Sequence, residues 1–159
     1  PSSRIGTSAA DPTRPIVFEK DGQWANLLRG NLPDGGRWLL ETRSLRQLRD
    51  AAQQHNRSLI LAVVNAKNLP KIIEVFSELT SRMPHCHLIA AAANDYDEGS
   101  WRQEKVVWQL REVGAIQWIA SRRDVSVVRQ LWQAHSELYP PANQTIRERI
   151  FRNLPWGHV

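Results

Sequence analysis

The sequence predicts an α/β protein in which a parallel β-sheet lies between two layers of helices. Two apolar runs, 59–64 (LILAVV) and 88–93 (LIAAAA), contain no alternating polar residues, and this is typical of strands that are covered on both faces. Segments with helical spacing separate the apolar runs, an alternation that favours a parallel sheet. The length of 159 residues fits one domain.

Five strands and five helices are predicted to alternate along the chain. The remaining three strands are short apolar runs at 16–18, 38–40 and 115–120. Apolar side chains at helical spacing mark the first, third and fifth helices, near 24–28, 69–83 and 127–138. Capping boxes begin the second and fourth helices, at Ser44 with Gln47 and at Ser100 with Gln103.

The two ends of the chain differ in composition from this alternating pattern. Residues 1–14 are rich in Ser, Ala and Pro, and we expect them to form a flexible arm or linker before a domain at 15–139. Residues 140–159 follow a Pro pair, and Thr145 with Glu148 is a third capping box. We therefore expect a C-terminal extension with a short amphipathic helix.

Composition narrows the class of protein. The apolar fraction of 42% and charged fraction of 23% are those of a soluble globular domain. No run approaches the ~18 apolar residues of a membrane helix, and the single Cys86 excludes an internal disulfide. The net charge of +5 is scattered along the chain without a nucleic-acid-binding motif. We expect a cytoplasmic protein that binds neither membranes nor nucleic acid.

The order of elements resembles the receiver domain of two-component response regulators. The resemblance covers roughly 15–139, and it is best at LILAVV with the following IIEVFSEL and at 113–132 (VGAIQWIASRRDVSVVRQLW). It implies a flavodoxin-like, doubly wound (βα)5 fold with strand order 2-1-3-4-5. It also implies a chemistry: an Asp after the third strand accepts a phosphoryl group beside a Mg²⁺ that acidic residues hold.

The residues that would perform this chemistry are mostly missing. The phosphoacceptor position falls on Val64, or on Asn65 with a one-residue slip, and neither side chain can become an acyl phosphate. The position of the family's Thr or Ser falls on Ala92, and its Lys-Pro pair falls at Ser121 and Arg122. The sequence therefore predicts a pseudo-receiver that keeps the scaffold, has no catalytic residue and needs no cofactor.

Acidic residues near two predicted strand ends leave one alternative open. Glu19 and Asp21 follow the first strand, and Asp95, Asp97 and Glu98 follow the fourth. Ligands of open α/β sheets bind beyond the carboxyl ends of the strands, so a small ligand- or divalent-cation-binding domain, even an enzyme, is the second hypothesis. Solvated loop acids are the simpler interpretation. His85, Cys86 and His87 alternate in direction along a strand and are expected to be structural.

Tryptophan placement points to protein contacts. On a helical wheel of 101–113, Val106, Leu110 and Val113 share one face, while Trp101 and Trp108 fall opposite. Trp132 is placed to continue that patch, and Trp118 occupies a family position that holds an aromatic residue. In receivers the fourth helix, fifth strand and fifth helix form the usual contact surface. The resemblance implies a non-enzymatic signalling domain that binds a protein partner or a second copy through this surface.

Overall fold

A computed structural model describes residues 13–93 and 103–139 of the chain. Five parallel strands form one sheet in the order β2-β1-β3-β4-β5. The strands are β1 (Pro15–Phe18), β2 (Leu40–Thr42), β3 (Leu59–Val64), β4 (His87–Ala92) and β5 (Ala115–Ile119). The predicted fold class and strand order are confirmed.

Five α-helices connect and cover the strands. They are α1 (Gln23–Asn31), α2 (Leu45–Gln54), α3 (Leu69–Arg82), α4 (Gln103–Glu112) and α5 (Val125–Leu138), with short 3-10 helices at Pro33–Gly36 and Arg122–Asp124. One apolar cluster lies between the sheet and α2, α3 and α4. A second lies between the opposite face and α1 and α5. Both faces of the sheet are therefore covered, as the continuous apolar runs of β3 and β4 predict.

The second helix begins as its capping residues predict. Ser44 has an extended backbone, and its hydroxyl accepts a hydrogen bond from the Gln47 amide at 3.1 Å. The Gln47 side chain accepts from the amide of Arg43, one residue before the cap, at 2.7 Å. The helix then buries Leu48, Ala51 and Ala52. The capping boxes that involve Ser100 and Thr145 lie outside the described residues.

The second strand lies two residues later than 38–40. It begins at Leu40, which pairs with Ile16 of β1. Trp38 instead follows the 3-10 helix at Pro33–Gly36, and the guanidinium groups of Arg14 and Arg37 lie 5.6 and 5.2 Å from the centre of its ring. These cation–π contacts hold the half-buried Trp38 outside the strand, and pairing with β1 places β2 two residues later.

The stripe predicted for the fifth helix is confirmed in part; its members are Val127, Val128, Leu131, His135 and Leu138. The buried side chains of the helix are Val128, Trp132 and His135, whereas Leu138 is 67% exposed. The helix is therefore rotated toward the larger ring of Trp132, whose burial removes more apolar surface from water. None of the helices in the described part of the chain has the length and apolarity that crossing a bilayer requires.

Candidate functional site

The carboxyl ends of the parallel strands meet at one edge of the sheet, where ligands of such folds bind. The structure describes the segments that follow β1, β2, β3 and β5 at this edge. Asp95 and Asp97, in the segment after β4, lie outside the described residues. The chemistry available at the edge therefore depends on Glu19, Asp21, Asn65 and Ser121.

Val64 is the last residue of β3 and is completely buried. It pairs with Ala92, the last residue of β4, and the amide of Ala93 donates to the Val64 carbonyl at 3.0 Å. Ala92 is also buried. The side chains that end the two central strands are thus aliphatic, so neither can act as a nucleophile or hold a phosphoryl oxygen.

Asn65, directly after β3, uses its side chain to begin α3. Its amide oxygen accepts hydrogen bonds from the backbone amides of Lys67 and Asn68 at 2.9 and 2.8 Å. The side chain of Asn68 in turn accepts a hydrogen bond from the backbone amide of Asn65 at 2.8 Å. It also donates one to the backbone carbonyl of Val63 at 3.0 Å. This reciprocal pair closes the turn, and it occupies the carboxyl end of the central strand.

Glu19 is buried and acts as a helix cap. Helix α1 begins after Gly22, which has a left-handed backbone (φ 78°) and no side chain to offer. The two carboxylate oxygens of Glu19 accept the amides of Trp24 and Ala25, each at 2.8 Å. They satisfy two of the amides that a helix start leaves without a partner. Burial raises the pKa of Glu19, and this effect is larger than the opposite effect of the two hydrogen bonds, which favour the charged carboxylate.

Asp21 lies near this cap in the sequence but accepts a different hydrogen bond. Its carboxylate accepts from the Gln23 amide at 3.2 Å and is exposed. The predicted residual acids are therefore divided between a buried cap, Glu19, and an exposed turn residue. Among the residues that the structure describes, no group of three or more His, Cys, Asp or Glu side chains could hold a metal ion.

The segment after β5 closes on itself and on α1. The Ser121 hydroxyl accepts from the Arg123 amide at 3.2 Å and caps the 3-10 helix. Arg122 reaches across the edge and hydrogen-bonds the side chain of Gln23. Ser121 is thus occupied in a local turn, and Arg122 is held by its contact with α1.

The predicted contact tryptophans have different environments. Trp108 on α4 is 67% exposed, whereas Trp132 is 7% exposed and lies in the core. The expectation that Trp132 continues an exposed patch is therefore wrong, because rotation of α5 turns its ring toward the sheet. Trp118 is half-buried against the core on the α4 side, and Trp101 lies outside the described residues.

An exposed isoleucine on β5 was not predicted. Leu88 of β4 pairs with Ala115 and Ile89 pairs with Gln117, so Ile116 is the extra residue of a β-bulge. A bulge on an edge strand turns a side chain out of the regular alternation, and Ile116 is 46% exposed. Trp108 and Ile116, on consecutive elements, define what we call the α4–β5 face.

Two solved structures are similar to this chain over most of its length. A CheY-like protein (tadZ) from Pseudomonas aeruginosa aligns with 75% of this chain and 99% of its own, at a TM-score of 0.54 and 17% identity. A response regulator from Thermotoga maritima aligns with 79% of this chain and 98% of its own, at a TM-score of 0.58 and 7% identity. The chain has the receiver fold. No family model and no curated protein matches the sequence.

The fold also brings together two histidines that lie far apart in the sequence. His87 at the start of β4 and His135 on α5 are 2.7 Å apart at their Nδ1 atoms. They lie at the amino-terminal ends of the strands, at the edge of the sheet opposite Glu19 and Asn65. Their separation of 48 positions gave no local pattern, and the only available signal was a His in the apolar stripe of α5.

Proposed function

We propose that this chain is a regulatory domain with the receiver fold that does not accept a phosphoryl group and that acts by self-association through the α4–β5 face. The observation that carries the proposal is the carboxyl end of β3. Val64 is aliphatic and buried there, and the amide oxygen of Asn65 already accepts two backbone hydrogen bonds. Val64 and Asn65 are the two candidates for the phosphoacceptor position.

The surroundings of this position support the same conclusion. A phosphoryl group needs cations and donors that neutralise its charge. Glu19, the candidate Mg²⁺ ligand, is buried and bound to the start of α1. Ala92 offers no hydroxyl, and the Ser121 hydroxyl accepts from its own turn. Among the residues described at this edge, the candidate nucleophile and metal-ligand positions are aliphatic or already hydrogen-bonded, and this favours a role in contact with another protein.

The α4–β5 face is suited to a second copy of the chain. The whole chain carries a net charge of +5, which disfavours the approach of two copies. The exposed charges within one helical turn of Trp108 are Glu104, Lys105, Arg111 and Glu112, and they sum to zero. A neutral patch around an exposed Trp favours association, because Trp contributes strongly to interface binding energy.

The absence of phosphoryl transfer is tested with acetyl phosphate and Mg²⁺. Intact mass spectrometry of the treated protein should show no covalent phosphoryl adduct on the chain, and its thermal stability should be unchanged. An authentic response regulator in the same reaction is the positive control. A stoichiometric, acid-stable or hydroxylamine-labile adduct would contradict the proposal.

Self-association is tested by sedimentation velocity across a concentration series. We expect the wild-type chain to associate, and Trp108→Ala to remain monomeric at concentrations where the wild type is dimeric. Trp38→Ala is the matched control, because it removes an indole at the opposite edge of the sheet and should leave association unchanged. A wild-type chain that stays monomeric throughout, or a Trp108→Ala variant that associates equally, would reject the α4–β5 face as a self-association surface.

A further inference from the structure

A pair of histidines fastens α5 to the amino-terminal end of the sheet. The Nδ1 atom of His87 lies 2.7 Å from Nδ1 of His135, and Nε2 of His135 lies 2.5 Å from the backbone oxygen of Arg57. His135 is 1% exposed and His87 is half-buried. We call His87, His135 and the Arg57 carbonyl the histidine latch, which joins β4, α5 and the segment between α2 and β3.

The hydrogen bonds of the latch determine which nitrogen carries each proton. A carbonyl oxygen only accepts, so His135 must donate from Nε2 to Arg57. A neutral His135 then has a bare Nδ1, which can only accept. His87 must therefore donate from its Nδ1, and its own Nε2 is left as the basic nitrogen. The latch thus consists of two neutral rings with defined tautomers.

The two rings respond differently to added protons. A first proton can bind Nε2 of His87 without disturbing either hydrogen bond, since that nitrogen takes no part in them. A second proton must bind Nδ1 of His135, and it would place two N–H groups against each other at 2.7 Å. The His87–His135 bond must then break, whereas the bond from His135 to Arg57 is retained.

The groups that face the latch do not stabilise a positive charge on the two histidines. His85 and Tyr139 are hydrogen-bonded to each other at 3.0 Å, and the Arg57 guanidinium lies 5.5 Å from the centre of the Tyr139 ring. Trp132 stacks on His135. These neighbours are neutral or cationic. Burial lowers the pKa of His135 to about 4. Burial also lowers the pKa of His87, and the nearby His85 lowers it further by charge repulsion.

We propose that the histidine latch is an acid-sensitive device that releases the last turns of α5 from β4 when the pair takes up its second proton. The contacts that would be lost lie at the end of α5, where the His135 carbonyl also accepts the Tyr139 amide at 2.9 Å. Release would expose the underside of Trp132 and the start of β4. The device is independent of the α4–β5 face, so its test does not depend on self-association.

The tautomers are tested first, by long-range ¹H–¹⁵N correlation of the histidine rings at neutral pH. We expect His135 to carry its proton on Nε2 and His87 to carry its proton on Nδ1. Release is then followed by amide hydrogen exchange between pH 7 and pH 4, expressed as protection relative to the intrinsic rate at each pH. If the open state has an ordinary His pKa of 6.5, protection at the end of α5 falls by roughly 30-fold at pH 5 and roughly 100-fold at pH 4.

The internal reference is the set of α2 amides that exchange by local opening, recognised by exchange rates that do not depend on denaturant. Their protection should change much less over the same range, whereas amides that exchange by global unfolding follow the global stability. His135→Phe removes the buried titrating group and should abolish the extra acid sensitivity of α5. Because that variant removes a buried hydrogen bond and could fail to fold, His87→Phe provides a second arm. It removes the opposing N–H group, so it should raise the pKa of His135 and reduce the loss of protection severalfold.

His85→Phe is the comparison variant. It removes the His85–Tyr139 hydrogen bond and the imidazole beside His87, but it leaves the His87–His135 pair in place. Protection at the end of α5 should start lower than in the wild type, and it should still fall between pH 7 and pH 4. The opposite tautomers, an equal loss of protection at the end of α5 and in the locally opening amides of α2, or an unchanged acid response in His87→Phe would each overturn the proposal.

Discussion

The hydroxyl of Thr80 donates a hydrogen bond to the backbone oxygen of Val113 at 2.7 Å, and it thereby joins α3 to the turn between α4 and β5. The next residue, Gly114, has a φ of 106°. A Cβ atom added to Gly114 would lie 2.1 Å from the Thr80 hydroxyl oxygen. The backbone conformation and the close approach of Thr80 both require glycine here, and the turn fixes where β5 and its exposed Ile116 begin.

Gly114→Ala should therefore destabilise the fold. Breaking the Thr80–Val113 hydrogen bond and straining a positive φ should together lower the free energy of unfolding by about 2–4 kcal/mol, measured by urea denaturation. Gly30→Ala is the control, because a Cβ there meets nothing within 4 Å. In helix α1 it should stabilise by up to about 1 kcal/mol. Equal effects of the two substitutions would show that the Gly114 contact is not restrictive.

The cap that Glu19 provides for α1 gives a second prediction. Glu19→Ala leaves the buried amides of Trp24 and Ala25 without their acceptor, which should cost about 1–3 kcal/mol of unfolding free energy. Asp21→Ala removes a neighbouring but exposed carboxylate and should change stability by less than about 0.5 kcal/mol. Urea denaturation of both variants measures the contrast. A larger loss for Asp21→Ala than for Glu19→Ala would refute the cap.

Much of the fold could be predicted because its signals are local. The runs at 59–64 and 88–93 correspond closely to β3 and β4, and Ser44 begins α2 as its capping box predicts. Strand β2 was placed two residues early, because its position depends on pairing with β1 and not on the apolarity of Trp38. Local pattern cannot report such a register.

The candidate site was less predictable, because its chemistry depends on which partners the fold supplies. A sequence shows that Glu19 is acidic, but not that both of its oxygens are taken by the amides of α1. The helical wheel of α4 correctly predicted that Trp108 is exposed. On α5, however, Trp132 lies at the edge of the apolar stripe, and packing against the sheet buries it. The pairing of His87 with His135 is a purely tertiary contact.

The turn after β3 gives a third prediction. Asn65→Ala removes the acceptor for the amides of Lys67 and Asn68, and it should lower the free energy of unfolding by about 1–2 kcal/mol. Lys67→Ala changes an exposed side chain within the same turn and retains the backbone amide, so its effect should stay within about 0.5 kcal/mol. Chemical denaturation distinguishes the two variants. If they proved equal, the side chain of Asn65 would be free, and it would then be open to another role at the strand end.

The pH dependence of global stability gives a fourth prediction. His135 has a pKa of about 4 in the folded chain, below its ordinary value of 6.5, so the unfolded chain binds more protons between these values. Stability therefore rises with pH across that window and levels off above about pH 7. From His135 alone, the loss between pH 7 and pH 5 should be on the order of 2 kcal/mol.

The experiment compares urea denaturation of the wild type and of His135→Phe at pH 5 and pH 7. Glu19 acts with the opposite sign, because its raised pKa makes the folded chain bind more protons above pH 4.5. That contribution is present in both proteins and cancels in the comparison. The variant should lose less stability than the wild type on acidification. An equal loss of stability in both proteins would mean that the pKa of His135 does not differ between the folded and unfolded chains. The buried, neutral ring of His135 would then not account for the acid response.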